Sequence, residues 1–355
     1  EAELAGGKLV PELLARAKQA GFGDAHIAYA CGLTEAEVHE ARRLAGIRSS
    51  YLMVDTCAGE FAARTPYFYS TCGDSGEEVE RGRSVVILGS GPIRIGQGIE
   101  FDYSTVHGVQ AVRDAGLEAV VVNNNPETVS TDFDASDRLY FEPLDAEAVC
   151  DILDVEKPEG VILQLGGQTA VNLADAVAEH IASSGLETRI LGTPVASMAD
   201  AEDRQKCGAL MRKIGVRMPE WAAATSADEV VECAERIGYP VLVRPSFVLG
   251  GRGMEIIHNR QQLDTYLRLE THASPERPVL VDRFLEGALE LDVDLVSDGG
   301  RVLVGAIMEQ IEMAGVHSGD SACVIPPQSL TKKQLREVVK LSTQVAHALG
   351  VVGAA

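Results

Sequence analysis

From Ser84 onward the chain is punctuated by short, wholly apolar runs: SVVILG (84–89), AVVVN (119–123), GVILQ (160–164) and RILG (189–192). Each is rich in β-branched residues, ends at Gly, Asn or Gln, and is separated from the next by a helix-length segment. Continuous apolar strands alternating with helices predict a parallel sheet covered on both faces, a doubly wound α/β domain. Near Pro219 the pattern changes. VLVRP (241–245), MEIIH (254–258), VLVD (279–282), LELDVDLV (289–296) and VLVGAIM (302–308) alternate apolar and polar positions. That alternation predicts antiparallel strands with one solvated or ligand-facing side. Helices are expected at about 201–214, 226–237, 261–270 and 331–349, the last opened by Thr331 and Gln334 as a capping box.

The first 82 residues read differently. Pro11 opens a helix that Gly21 stops, and Thr34 with Glu37 forms a capping box for a second that Gly46 ends. Residues 51–83 are less regular, and the polar run Cys72-Gly73-Asp74-Ser75-Gly76-Glu77-Glu78 reads as a linker. The expected division is a helical segment with linker (1–82), an α/β domain (83–198) and an α+β domain (199–355).

Charge narrows the function classes. Among 355 residues, 31 Lys and Arg face 53 Asp and Glu, a net charge of −22. Such a balance argues against a nucleic-acid binder, which needs clustered cations, and against docking on an anionic membrane. No run approaches the roughly 18 apolar residues of a membrane span, and Glu1-Ala2-Glu3-Leu4 lacks the features of a signal peptide. The 7 cysteines have no Cys-x-x-Cys or zinc-like spacing and read as reduced thiols of a cytoplasmic protein.

Four stretches could carry chemistry. Gly89-Ser90-Gly91-Pro92-Ile93-Arg94-Ile95-Gly96 follows a strand, where glycine lets a backbone approach a phosphate. Its spacing fits neither the dinucleotide fingerprint nor a Walker loop, because the third Gly comes too late and Gln97 stands where Lys is required. A tight strand-to-helix turn without ligand remains an equal reading. Arg244-Pro245-Ser246-Phe247-Val248-Leu249-Gly250-Gly251-Arg252-Gly253 puts two guanidiniums beside a Gly-rich loop between strands, a clamp and a lid for a triphosphate, or a hairpin with incidental arginines. Glu290, Asp292 and Asp294 recur at every second position of one strand and would share a face for ribose hydroxyls or a cation, or simply face solvent. His317, in the polar loop Gly315–Ser321, could donate to a phosphate or satisfy its own loop.

These residues resemble a known family. GPIRIGQGIEFDYS (91–104), NPETVSTDFDASDRLYFEP (125–143), QLGGQT (164–169), DAEDR (200–204), VRPSFVLGGRGMEI (243–256) and GVHSGDSA (315–322) are similar to the large chain of carbamoyl-phosphate synthase, chiefly its second ATP-using half. VDTCAGEFAARTPYFYST (54–71) resembles the end of the oligomerisation region that precedes that half. The resemblance implies a pre-ATP-grasp (Rossmann-like) α/β domain, then an α+β ATP-grasp domain incomplete at its C-terminus. It also implies phosphorylation of carbamate to carbamoyl phosphate for pyrimidine and arginine biosynthesis, with ATP, Mg²⁺ (or Mn²⁺) and K⁺. Arg204, Arg244 and His317 would be catalytic at the phosphates, and Gly250, Gly251, Arg252 and Gly253 the lid. Asp282, Arg283 and Leu285 would form the adenine hinge and Glu290 would meet the ribose. Gly315, Val316, His317 and Ser318 would approach the phosphates, while Glu290 and Ser321 would hold a monovalent cation. Partners implied are a glutaminase small subunit and further copies of the large chain, with no nucleic acid and no membrane. The divalent-metal ligands of the family are expected beyond Ala355, so the fragment alone is expected to be inactive. A non-catalytic assembly module and another ATP-grasp carboxylate ligase are the alternatives.

Overall fold

The computed structural model describes residues 3–5, 9–72, 76–77, 81–93, 99–245, 253–270, 278–314, 316 and 321–355. The described chain divides into two compact units, the first ending at Val195 and the second beginning at Ala196.

Three helices begin the first unit: α1 (Pro11–Gln19), α2 (Asp24–Cys31) and α3 (Glu35–Leu44). The expected Thr34–Glu37 capping box is present at α3. Then come β1 (Ser49–Met53), β2 (Tyr67–Cys72), β3 (Ser84–Leu88), α4 (Glu100–Asp114), β4 (Glu118–Val122) and β5 (Arg138–Tyr140). α5 (Ala146–Glu156), β6 (Gly160–Ile162), α6 (Gly167–Val171), α7 (Ala174–Ser184) and β7 (Arg189–Leu191) complete it. One seven-stranded sheet has the order β1-β2-β5-β4-β3-β6-β7. All its pairs are parallel except β1 with β2. Every residue of β3 is buried, as its unbroken apolar run predicts.

Two departures have physical causes. Residues 51–83 are expected to be less regular, but Ser49–Met53 and Tyr67–Cys72 pair as the β1–β2 hairpin, and β2 pairs with β5, extending the α/β sheet. The helical segment is also bound to that layer through a buried ion network. Arg42 on α3 donates from Nε to Asp24 at 2.8 Å and from Nη1 to Asp151 on α5 at 3.0 Å. Lys18 reaches both Asp24 and Glu147. Charges this deeply buried persist only when paired, and the network ties the N-terminal helices to the α/β layer within one compact unit.

The second unit begins at α8 (Val195–Glu202) and continues with α9 (Arg204–Lys213), β8 (Trp221–Ala224), α10 (Ala227–Ile237), β9 (Val241–Pro245) and β10 (Glu255–Ile257). α11 (Arg260–Glu270), β11 (Val279–Arg283), β12 (Leu291–Asp298), β13 (Val302–Gln310), β14 (Cys323–Val324), α12 (Lys332–Leu349) and β15 (Val352–Ala354) follow. Two antiparallel sheets result, β10-β9-β11-β8 and β14-β13-β12-β15. In the first, Val241, Val243, Val279 and Val281 pack with Val230, Ala234 and Ile237 of α10 and Leu263 and Tyr266 of α11. The alternate residues of β9 and β11 therefore face away from that core. α12 carries the expected Thr331–Gln334 capping box. The 7 cysteines form no disulfide, and no helix of the described residues is long and apolar enough to cross a membrane.

Candidate functional site

In the second unit, the sequence reading of one helix over 201–214 gives way to two. Asp203 interrupts it by capping α9, its side chain accepting from the backbone amides of Gln205 at 2.8 Å and Lys206 at 3.0 Å. The break places Arg204 in the first turn of α9, where its guanidinium lies 5.3 Å from the centroid of the Trp221 ring.

Strand register supplies the other members. Leu280 stands opposite Arg244, and Asp282 opposite Trp221. Directly opposed residues share a face, as do residues two apart on a strand. Arg244, Asp282 and Trp221 therefore all project from the face that α10 and α11 leave uncovered. Arg204 Nη2 donates to Asp282 Oδ1, and Arg244 Nε lies 3.4 Å from Asp282 Oδ2. Asp282 is only 7% exposed. One carboxylate between two guanidiniums leaves an excess positive charge among these three residues.

Two further observations mark this locus for an anion. The Nε atom of Arg204 is buried with no hydrogen-bond partner among the described residues, and the buried Nε of Arg244 has only its 3.4 Å ion pair with Asp282. An orphaned donor carries a desolvation cost until something accepts from it. Burial and the Arg244 charge hold the Arg204 pKa below the ordinary guanidinium value, and burial does the same for Arg244. An incoming polyanion offsets this lowering by favouring the charged form of both guanidiniums. The donor set and the unmet Arg204 N–H fit a phosphate chain.

The other expected residues are distributed as follows. Arg283 turns its guanidinium to the carbonyl of Ile237 at the C-terminal end of α10, 2.7 Å away, so its side chain serves the helix end. Leu285 is 52% exposed. Asp282, expected at an adenine hinge, has its carboxylate engaged by the two arginines. Gly253 accepts from the Tyr266 hydroxyl at 2.8 Å. Glu290 is exposed just ahead of β12, its carbonyl accepting from the Gln310 amide at 3.0 Å. Asp292 and Asp294 lie two apart in the regular part of β12, ahead of the register shift between Asp294 and Leu295, so the alternation expected of Glu290, Asp292 and Asp294 is kept, and Asp292 is held by the Gln310 side chain. Val316 is exposed, and Ser321 Oγ donates to the Ala322 carbonyl at 3.3 Å. Gly250, Gly251, Arg252, Gly315, His317 and Ser318 lie outside the described residues.

The first Gly-rich turn, in the other unit, is held by side chains over its described part. Asn123 Oδ1 accepts from the Gly91 amide at 3.0 Å, and Asn125 donates to the Gly91 carbonyl at 3.2 Å. Asn123 in turn donates to Thr128 and Ser130. The asparagines that replace the acid of a dinucleotide fingerprint thus brace the turn itself. Sequence reasoning missed Asp282 as the bridge and Trp221 as the platform. The signals available were the acid ending an apolar strand and the single Trp of the chain.

Solved structures share this order of elements. The biotin carboxylase of Campylobacter jejuni superposes with a TM-score of 0.58 at 16% identity, covering 76% of this chain and 60% of that one. The biotin carboxylase domain of Hydrogenobacter thermophilus 2-oxoglutarate carboxylase gives 0.57 at 19% identity, covering 76% and 59%. The fold is that of the ATP-grasp class, a pre-ATP-grasp α/β domain followed by an ATP-grasp domain. Sequence comparison narrows the class. Residues 81–200 match the carbamoyl phosphate synthase preATP-grasp domain, and residues 203–355 match the carbamoyl-phosphate synthase L chain ATP binding domain. The carbamoyl phosphate synthase large chain of Methanosarcina barkeri is 53% identical over 349 residues, 98% of this chain and 33% of that protein. That of Methanothrix thermoacetophila is 52% identical over 354 residues, 99% of this chain and 33% of that protein. The chain belongs to the carbamoyl-phosphate synthase large-chain family, and it spans about a third of the length of the curated relatives it matches.

Proposed function

We infer that this chain is the carbamoyl-phosphate-forming, ATP-using part of a synthase large chain, an ATP-dependent ligase. The observation that carries the reading is the Arg204–Asp282–Arg244 cluster, with its excess positive charge and the unmet Nε–H of Arg204. A carbamate oxygen bonds to the γ-phosphorus of ATP as the bridging P–O bond breaks, releasing ADP. No covalent enzyme intermediate is needed, so the protein's contribution is positioning and charge neutralisation. In this reading Arg204 and Arg244 bind phosphate oxygens, Trp221 and Asp282 hold the guanidiniums in place, and Mg²⁺ (or Mn²⁺) supplies further neutralisation when bound.

The remaining roles follow the resemblance. Gly250, Gly251, Arg252 and Gly253 form the lid, and Gly315, Val316, His317 and Ser318 approach the phosphates. The backbone of Arg283 and the Leu285 side chain meet the base. Glu290 and Ser321 offer oxygen donors suited to K⁺. The functional segments are 1–82, 83–198 and 199–355. A glutaminase small subunit and further large chains are the proposed partners. Tyr29 (91% exposed), Phe61 (76%) and Leu44 (74%) on the N-terminal segment support an association surface there. The reading places the enzyme in the cytoplasm.

In a complete large chain assembled with its glutaminase, Arg244→Ala is expected to lower carbamoyl phosphate formation by about 100-fold or more. Arg212→Ala, an exposed arginine at the far end of α9, is expected to change it little. Equal formation by the Arg244→Ala and unaltered enzymes would remove the central residue of this reading.

A further inference from the structure

A second cluster of ligand-type side chains lies in the first unit, beside the buried ion network of Arg42, Asp24 and Asp151. His39 on α3, Asp154 on α5 and His180 on α7 converge so that one donor atom from each lies within 4.8 Å of the others. His180 Nε2 is 2.9 Å from Asp154 Oδ1. The two imidazoles meet edge to face, with ring centroids 5.2 Å apart. His180 is buried, and His39 Nε2 is buried without a hydrogen-bond partner.

The surroundings favour a cation. The cluster borders a cleft of about 370 Å³ lined by the carboxylates of Glu35, Glu40 and Glu179, and by Asp24 and Glu147, which Arg42 and Lys18 pair from behind. Burial first, and then the neighbouring charges of Asp145, Asp24 and Glu147, push the Glu35 carboxyl above its ordinary value, a sign of negative potential in the cleft. Cys150 also lines the cleft, but burial pushes its thiol up to about 12, so it stays protonated and is not counted among the ligands.

We propose that His39, Asp154 and His180 form a binding site for a divalent transition-metal ion of the Zn²⁺ class. Two imidazoles and a carboxylate are the N and O donors such ions take, and they leave a fourth position for water from the cleft. Bonds of about 2.0–2.2 Å set ligand atoms roughly 3.3 Å apart. The His180–Asp154 hydrogen bond therefore opens slightly, and the widest separation closes by about 1.5 Å, a rotamer-scale adjustment. With the ion on Nε2, the ring proton of His39 sits on Nδ1, 3.9 Å from Asp24 Oδ2 and 4.0 Å from Asp151 Oδ1. Those acceptors supply the carboxylate–histidine–metal arrangement. Arg42 gives up its 3.3 Å approach to Nδ1 while its Nε and Nη1 stay on Asp24 and Asp151. The ion would join the helical segment to the helices covering the α/β sheet, a role independent of the nucleotide reading.

The test is titration of the chelator-treated chain with Co²⁺ alone, read by its visible d–d absorption, followed by displacement with Zn²⁺. One ion per chain is expected. His39→Gln and His180→Gln should each weaken uptake at least tenfold, while His26→Gln, at an exposed histidine, should leave it unchanged. Asp154→Asn retains a hydrogen-bonding partner for His180 and is also expected to weaken uptake at least tenfold, which covers the case of a histidine variant that does not fold. Absence of uptake by the unaltered chain would overturn the proposal. So would Co²⁺ affinity that Asp154→Asn and the folded histidine variants leave unchanged, with thiolate bands marking the cysteines as the ligands.

Discussion

Asp282 shows how much one side chain organises. Its carboxylate sits between Arg204 and Arg244, two like charges that burial would otherwise drive apart. Asp282→Asn removes the counter-charge and leaves both guanidiniums partly buried. The arginines retain about 30% side-chain exposure, which screens the loss below the range for fully buried pairs. A decrease of about 1–3 kcal/mol in unfolding free energy is expected by urea denaturation; an unchanged midpoint would deny Asp282 this role. His39 acts in the other unit with a definite sign. Its folded-state pKa lies below the unfolded value because the ring is buried, so the unfolded chain binds the proton more tightly. The stability this contributes is present above the unfolded pKa near 6.5 and is lost as pH falls through the folded pKa. Asp24, Glu35, Glu142 and Asp145, whose carboxyls burial raises, act in the opposite direction. The diagnostic quantity is therefore the difference between unaltered and His39→Gln chains. With chelator present, the variant should lose less stability between pH 7 and 5, and parallel profiles would contradict the assignment.

At the scale of elements, what the sequence reveals depends on where each element's stabilising partners lie. β3 is legible because five consecutive apolar residues need only a covered sheet. α12 is legible because its capping box is local. β5 is not, since Arg138 is buried only by virtue of Glu156 and Glu118, which arrive from elsewhere in the chain. β1 and β2 are missed for a related reason: β1 pairs with β2 across the segment between them, and β2 joins the sheet only through β5. Arg244 could be read from residue type and neighbouring glycines and Arg204 only from the resemblance, but Asp282 and Trp221 enter through the register of β9, β11 and β8, which no local pattern encodes. Gly166 belongs to the same class. A Cβ there would stand 2.3 Å from the Gly89 carbonyl oxygen and 2.5 Å from that of Leu88, both backbone atoms. Gly166→Ala is expected to cost at least about 2 kcal/mol because no side chain can yield. Gly116→Ala, with open space but φ of +75°, should cost only about 1 kcal/mol. Equal thermal shifts for the two variants would contradict this account of the turn's packing.

Across the whole molecule, the −22 net charge makes any local positive excess significant. A polyanion approaching this surface meets a generally unfavourable field and needs a concentrated, permanently charged locus, which arginine supplies. The Arg204–Asp282–Arg244 cluster is such a locus, built within the second unit by a helix cap and a strand register. Calorimetric titration of the chain with ATP in the presence of Mg²⁺ addresses this claim most directly. Saturable binding is predicted for the unaltered chain, at least about tenfold weaker for Arg244→Ala and essentially unchanged for Arg212→Ala. A titration in which ATP produces no binding heat, or binds the Arg244→Ala chain as tightly as the unaltered one, would contradict the account.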